Sequence, residues 1–193
     1  ATTVSDYDGN TYNTVKIDNQ CWMKENLRTT SYADGTLITT STTPSTTTAY
    51  CFSPNLADSM IPMYGRLYNW AAVMHGSDGS TSNPSGVQGV CPTGWHVPSD
   101  AEWIQLKSYV CMHDDFVCSG VASYCAKALA DSIGWNESWE TCSPGNDPHK
   151  NNATGLSLRP SGGFYPPEIV TNAGNTADYW TSTSVGDTGV NAH

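Results

Sequence analysis

Five histidines, one pair of adjacent aspartates and many serines are the residues of this chain that could carry acid–base or nucleophilic chemistry. The histidines are dispersed, and no Gly-x-Ser-x-Gly motif places a serine on a nucleophilic turn. His96 lies between Trp95 and a helix-capping motif, which favours a buried, hydrogen-bonding histidine. Asp114 and Asp115 are adjacent, a pattern more typical of a solvated corner than of a catalytic pair. Because no nucleophile, base and orienting group come together, the sequence predicts no catalytic residue and no enzymatic activity.

A polar segment near the carboxyl end offers the best candidates for ligand contacts. Its carboxylate and amide oxygens are hard ligands that suit calcium or the hydroxyl groups of a sugar, and a tyrosine beside two prolines is a candidate exposed ring. The predicted ligand-binding residues are Tyr165, Glu168, Asn172, Asn175 and Asp178. The alternative is that they are ordinary loop residues that face water. Trp22 and Trp180 are predicted to belong to the core instead.

The chain has seven cysteines but no Cys-x-x-Cys motif and no Cys/His cluster at zinc spacing, so we predict no metal site. All seven are disulfide candidates: Cys21, Cys51, Cys91, Cys111, Cys118, Cys125 and Cys142. Scattered cysteines in a chain with few charges are typical of exported proteins, in which thiols oxidise. We expect at least two disulfides, and Cys142 lies in a loop from which any of the three preceding cysteines is within reach. The odd count leaves one thiol unpaired or joined to another chain.

Composition and charge narrow the classes of partner. Eighteen acidic residues against eight basic ones give a formal charge of −10 and a pI near 4.6. Phosphate backbones and anionic lipid surfaces repel such a chain, which argues against nucleic acid and membrane surfaces as partners. No apolar run is long enough to cross a membrane. Seven tryptophans and ten tyrosines indicate a folded chain, because such rings need burial or a ligand.

The amino-terminal half predicts a hairpin, a buried strand, a loop and a helix. Residues 4–17 alternate around Asp8-Gly9, a strong hairpin signal, because tight turns need a positive φ. The aspartates here resemble part of a calcium loop but lack its distal acidic ligand, so we interpret the segment as a turn. Gln20-Cys21-Trp22-Met23 predicts a buried strand. A Thr/Ser-rich exposed loop is expected at about 29–48 and a short helix at 64–73.

The next part of the chain predicts two helices. Ser99 and Glu102 form a capping box, in which each side chain bonds the backbone amide of the other residue. A helix is therefore predicted over about 100–112. Amphipathic spacing predicts a second helical stretch around 121–132, inside a cysteine-rich insert at about 111–150.

The last third predicts two short strands, at 155–160 and 178–183. Strands at both ends with helices between them indicate an α+β fold of antiparallel strands, two or three helices and long loops. We expect a single domain over 1–193.

Six motifs occur in one order along the chain. They are Asp8-Gly9-Asn10-x-Tyr12, Gln20-Cys21-Trp22-Met23-x-Glu25-Asn26-Leu27, Tyr64-Gly65-Arg66-Leu67-Tyr68-Asn69-Trp70, the run from Gly89 to Trp103, Gly155-Leu156-Ser157, and Tyr179-Trp180-Thr181-Ser182-Thr183. In this order they resemble the Fibrobacter succinogenes major paralogous domain, FISUMP, over nearly the whole chain. The resemblance implies a C-type-lectin-like fold, related to that of formylglycine-generating enzymes. It implies the fold more firmly than the function.

The resemblance implies an exported bacterial protein displayed at the cell surface, with a lectin-like binding or adhesion role and no catalysis. Its partner would be a carbohydrate or a surface protein. The lectin calcium motifs Glu-Pro-Asn, Gln-Pro-Asp and Trp-Asn-Asp are absent, so no cofactor is predicted. Calcium binding stays an open alternative only at the predicted ligand-binding segment, 165–178, because of its oxygen ligands. The alternative is a structural subunit of an extracellular filament or pilus that associates with copies of itself. Sequons at Asn136 and Asn152 predict a glycoprotein only in a host that modifies them.

The two ends of the chain carry a further expectation. Family members continue past Trp180 into more strands, whereas this chain stops at Val190-Asn191-Ala192-His193, and Ala1 resembles the start of a processed chain. The terminal strands would then be missing, which leaves the edge beside the Cys21 strand uncovered. Either the native chain continues, or another chain supplies a strand by β-augmentation. Cys21 or Cys91 is then the thiol whose partner is absent.

Overall fold

The computed structural model describes residues 2–42, 45–163 and 172–184. Within them, short strands form two three-stranded sheets, in the orders β1-β2-β3 and β4-β5-β6. The strands are β1 (Thr3–Ser5), β2 (Thr11–Ile17), β3 (Gln20–Met23), β4 (Thr39–Thr40), β5 (Tyr50–Phe52) and β6 (Leu67–Tyr68), and the α-helices are α1 (Ile61–Tyr64), α2 (Trp70–Met74), α3 (Asp100–Cys111) and α4 (Ala126–Leu129). Single 3₁₀ turns occur at Pro54–Leu56, Asp58–Met60, Asp114–Phe116, Cys118–Gly120 and Pro148–Lys150. The predicted mixed α+β class is confirmed.

The predicted hairpin at the amino terminus is present. β1 and β2 are antiparallel, with Val4 opposite Tyr12. Asp6 closes the turn, because its carboxylate accepts the Asn10 backbone N–H at 2.8 Å and the Tyr12 hydroxyl at 2.6 Å. The side chain of Asp6 therefore serves the turn, as the sequence interpretation expected.

Asp8, the second acidic residue of the turn, ties the hairpin to the chain that follows β3. Its Oδ2 accepts the Thr30 N–H at 2.6 Å and the Thr30 hydroxyl at 2.9 Å, and the Thr29 hydroxyl oxygen lies 3.2 Å away. Burial alone would raise the pKa of Asp8, but hydrogen bonds from Ser31, Thr30 and Thr29 outweigh it and lower the pKa below its usual value. The ionised form of Asp8 is thus part of the folded structure.

β3 was predicted to be a buried strand, and the burial is wrong. Cys21 is exposed, and the other three residues of the strand are half-buried. The reason is that β3 pairs only with β2 and lies at the edge of its sheet.

The helix predicted over 64–73 is interrupted. Gly65, at φ 74°, ends α1, and a Cβ there would lie 2.5 Å from the Cβ of Asn26. β6 then pairs antiparallel with β5. α2 begins after Asn69, whose side chain accepts the Ala72 N–H at 3.0 Å as an N-cap. A close approach that only glycine allows therefore replaces one helix by a helix, a strand and a second helix.

The Thr/Ser-rich stretch at 29–48 is only partly the predicted exposed loop. Thr29, Tyr32 and Ile38 are buried, and Ser31 forms a bridge with Leu37. The hydroxyl of Thr29 stays in the interior because it donates to the Ser31 carbonyl at 2.7 Å. From β4 onwards the described part of the stretch is largely exposed, as expected.

The helix α3 is confirmed together with its capping box. Ser99 Oγ accepts the Glu102 N–H, and the Glu102 carboxylate accepts the Ser99 N–H at 2.9 Å. Leu106 and Val110, one turn apart on the helix, are buried against Ile17 of β2. The first sheet and α3 therefore enclose a common core.

The cysteine-rich insert is held by two disulfides, Cys111–Cys125 and Cys118–Cys142, which confirms the expected minimum. The helical stretch predicted around 121–132 is wrong except at α4. The two ends of its predicted buried face, Val121 and Ser132, are exposed. Covalent and polar links replace it: the buried Lys127 donates to the carbonyls of Ser143, Asn146 and Asp147.

The segments 155–160 and 178–183 were predicted as strands, and neither forms one. Leu158 makes a single bridge with Ala130, and residues 178–183 make none. Side chains hold them instead. The Tyr179 hydroxyl accepts the Arg159 N–H at 3.1 Å, and Trp180 Nε1 donates to the Tyr68 carbonyl at 2.7 Å. The expectation about the last residues of the chain falls at 185–193, outside the described residues.

Two main clusters form the core of the described residues. One surrounds Tyr68, Val73 and Val97, with Trp180 packed against it. The other surrounds Leu106 and Leu156, with Trp103 packed against it. No helix in this part of the chain combines the length and the apolar character needed to cross a bilayer.

Candidate binding cavity

A cavity of about 860 Å³ lies where the two core clusters meet. Its walls are formed by β3, β6, the first turns of α3, the segments 94–98 and 178–180, and Leu156 with Leu158. A volume of this size is within the usual range for ligand sites, roughly 300–1,000 Å³.

Aromatic side chains form much of the wall. The rings of Trp22 and Trp103 lie 4.6 Å apart, and Trp103 and Tyr179 lie 5.8 Å apart. Trp103 Nε1 donates to the Trp180 carbonyl at 3.3 Å, which fixes this group of rings. Trp22 and Trp180, predicted as core, pack on the clusters with one side and line the cavity with another. The prediction that Trp22 and Trp180 belong to the core therefore holds for only part of each ring.

The cavity also contains a buried carboxylate, that of Glu102, which is 6% exposed. One of its oxygens accepts the backbone N–H groups of Ser99 at 2.9 Å and Ser85 at 3.1 Å. The other lies 2.7 Å from Nε2 of His96. The prediction that His96 is a hydrogen-bonding residue is confirmed, but its side chain is half-buried rather than buried, at 36% exposure. Both oxygens of the carboxylate thus serve to order the cavity wall.

Two hydrogen-bond donors at the cavity have no acceptor among the described residues. They are Nε1 of Trp22 and Nη1 of Arg66, both buried. The Nε of Arg66 does have a partner, the Arg28 carbonyl at 3.2 Å. Both atoms are almost fully shielded from solvent, so they belong to the packed part of the wall rather than to its ligand-accessible surface.

Three cysteines carry free thiols: Cys21, Cys51 and Cys91. Cys21 is exposed, and the other two are buried. Burial raises the pKa of Cys91 to about 12, so this cavity-lining thiol is protonated and a poor nucleophile. Burial raises the pKa of Cys51 as well.

The predicted ligand-binding segment is only partly described. Tyr165 and Glu168 lie outside the described residues. Asn172, Asn175 and Asp178 are exposed, and the Asn175 side chain accepts a hydrogen bond from Asn136 at 3.1 Å. Of these three, Asp178 lines the cavity.

A metal site is not evident in this part of the molecule. Across 2–42, 45–163 and 172–184, no three His, Cys, Asp or Glu side chains come together in a way that could hold a metal ion.

Sequence reasoning missed the cavity because its residues come from distant parts of the chain. A signal was nevertheless present: Trp22, Trp95, Trp103, Tyr179 and Trp180 all line the cavity, and all belong to the six ordered motifs. Aromatic residues concentrated in separate motifs indicate a shared environment in the fold.

Comparison with protein families gives a match to the Fibrobacter succinogenes major domain over residues 15–192. The chain belongs to this family, as the ordered motifs predicted. Comparisons with curated proteins and with solved structures give no match.

Proposed function

We propose that the protein is an exported binding or adhesion domain of the cell surface, with a C-type-lectin-like fold, that holds its ligand in the aromatic cavity. The observation that carries the proposal is the cavity itself, with its half-buried aromatic rings. Tryptophan and tyrosine provide large contact areas together with a polar group, which is why they are frequent in binding sites.

Two features support an extracellular location. Two disulfides in a chain of 193 residues are typical of oxidising compartments. They lie in the insert and cross-link the 111–142 region, and none of the four cysteines lines the cavity. The family match is consistent with this assignment.

We propose binding without catalysis. One oxygen of the Glu102 carboxylate accepts the backbone N–H groups of Ser85 and Ser99, and the other contacts Nε2 of His96. We assign this carboxylate the structural role of holding the cavity wall in place.

The proposal is tested with N-phenyl-1-naphthylamine, a neutral apolar dye, and with a glycan array read with and without calcium. Wild type and Trp139→Ala should bind the dye equally, since Trp139 is 88% exposed and does not line the cavity. Trp22→Ala should weaken dye binding about tenfold, because it removes a wall of the cavity. Equal dye binding by all three proteins, or none by wild type, contradicts a ligand-accepting cavity.

The filament subunit remains the alternative prediction. A formal charge of −10 opposes self-association at low ionic strength. Electron microscopy of native material decides it: polymers support a subunit, and dispersed particles support a binding domain.

A further inference from the structure

The outer edge of β3 borders the cavity. Five consecutive residues, 19–23, line it. Successive side chains of a strand point to opposite faces. A wall that includes both sets of side chains therefore runs along the edge of the strand rather than over one face.

The backbone groups at this edge can be identified from the register with β2. The Lys24 N–H donates to the Asn13 carbonyl at 2.9 Å, and Val15 lies opposite Trp22. Hydrogen-bonded pairs alternate along an antiparallel ladder, so the backbones of Cys21 and Met23 point away from β2. No described residue pairs with them. An exposed strand edge of this kind is a template for another strand.

Apolar side chains form another part of the cavity wall. Leu156, Leu158, Val97 and Leu67 line it beside the rings. A strand added to β3 would place apolar side chains against this part of the wall. A sugar would leave the repeating backbone groups of β3 without a matching ladder.

The charges at the cavity select among peptides. The carboxylates of Glu25, Glu102 and Asp178 line it, against the single guanidinium of Arg66. Acidic segments are therefore disfavoured. The same argument disfavours a second copy of this chain, because each copy carries a formal charge of −10.

We propose that the cavity accepts an extended, neutral or basic peptide segment of another protein, with apolar side chains at alternate positions, which pairs with the outer edge of β3. This inference rests on the proposed function and names the ligand of that site. The four residues of β3 span about 13 Å, at about 3.3 Å per residue. Cys21 and Met23 offer two N–H and two C=O groups to the added strand.

The experiment starts from a library of ten-residue synthetic peptides with apolar residues at every second position and lysine or serine between them. Each peptide that binds is resynthesised in two N-methylated forms, one methylated at the odd residues and one at the even residues. Only one set of N–H groups in an added strand faces β3. One form should therefore lose at least tenfold in affinity, about 1.4 kcal/mol, while the other stays within about threefold. Equal effects in both forms contradict strand pairing.

The protein side is tested with Met23→Pro, and with Met23→Val as its matched control. Proline removes an N–H that β2 does not use, and edge strands tolerate proline where the N–H faces outward. Met23→Pro should abolish peptide binding, while Met23→Val keeps it within about threefold. Unchanged binding by Met23→Pro overturns the proposal. The N-methylated peptides keep it testable if the proline variant does not fold.

The outcomes separate this inference from the proposed function. If no library peptide binds and a glycan binds in a way that Trp22→Ala abolishes, the strand is refuted and the binding domain stands. If neither peptide binding nor glycan binding depends on Trp22, both the strand-pairing inference and the proposed binding function are refuted. If the protein alone forms dimers by sedimentation and Met23→Pro abolishes them, the partner is a second copy, which overturns the assignment to another protein.

Discussion

Glu102 provides the sharpest test of how this structure is held together. Its carboxylate caps α3 through the Ser99 N–H, accepts the Ser85 N–H and contacts His96. Ser85 and Ser99 are buried, at 8% and 0% exposure, so their backbone N–H groups have little access to bulk water. Replacing Glu102 by alanine therefore leaves two backbone donors unsatisfied in the interior.

The magnitude follows from these contacts. An unsatisfied buried donor costs about 1–3 kcal/mol, and loss of a helix cap costs about 1 kcal/mol. We expect Glu102→Ala to lower the free energy of unfolding by about 3 kcal/mol. Glu102→Gln keeps one acceptor oxygen for the amides and should cost about 1 kcal/mol. For a chain of this length the alanine variant should melt about 6–12 °C lower.

Urea unfolding followed by tryptophan fluorescence, under non-reducing conditions, measures these differences. Glu140→Ala is the matched control, since Glu140 is exposed and should change stability by less than about 0.5 kcal/mol. If Glu102→Ala is as stable as Glu140→Ala, the buried carboxylate does not organise this region and the reasoning is wrong.

Three further predictions concern the thiols, the insert and the amino-terminal turn. A thiol reagent should modify only Cys21 in the native protein and three cysteines after denaturation without reductant, because Cys51 and Cys91 are buried; six or seven reactive thiols would disprove both disulfides. Replacing Cys118 and Cys142 by serine opens a loop of sequence separation 24 and should cost about 3 kcal/mol in urea unfolding. The hydrogen bonds to Asp8 lower its pKa from 3.8, so they contribute stability above that pH that is lost as the pH falls through the lower folded value. The stability difference between wild type and Asp8→Asn should accordingly be largest above about pH 4 and shrink toward pH 2.5, and a difference that is constant with pH would contradict the assignment.

Local signals predicted the elements that depend on local chemistry. The Asp8-Gly9 turn and the Ser99–Glu102 capping box each satisfy their own backbone groups within a few residues. Both were therefore readable from short motifs. The two disulfides were expected in number but not in pairing, because the pairing depends on how the insert folds.

Elements that depend on distant partners were not predictable in the same way. The segments 155–160 and 178–183 have strand-like composition, but in the described chain the first makes one bridge and the second makes none. The sequence around Gly65 is compatible with a helix. The break depends on Asn26, a distant residue whose Cβ lies 2.5 Å from the position that a Cβ on Gly65 would take. The cavity was not predicted for the same reason, since its walls come from strands, a helix and loops that are far apart in the sequence.

The capping box and the cavity depend on each other. Glu102 fixes the start of α3, and through Ser85 and His96 it also fixes two segments beside the cavity. Its backbone carbonyl accepts a hydrogen bond from Gln20 Nε2 at 3.0 Å, which sets the distance between β3 and α3. Glu102 thus links β3, α3 and two segments of the cavity wall. A site supported in this way is preorganised, and we expect a ligand at the edge of β3 to bind with little rearrangement and at a correspondingly small entropic cost.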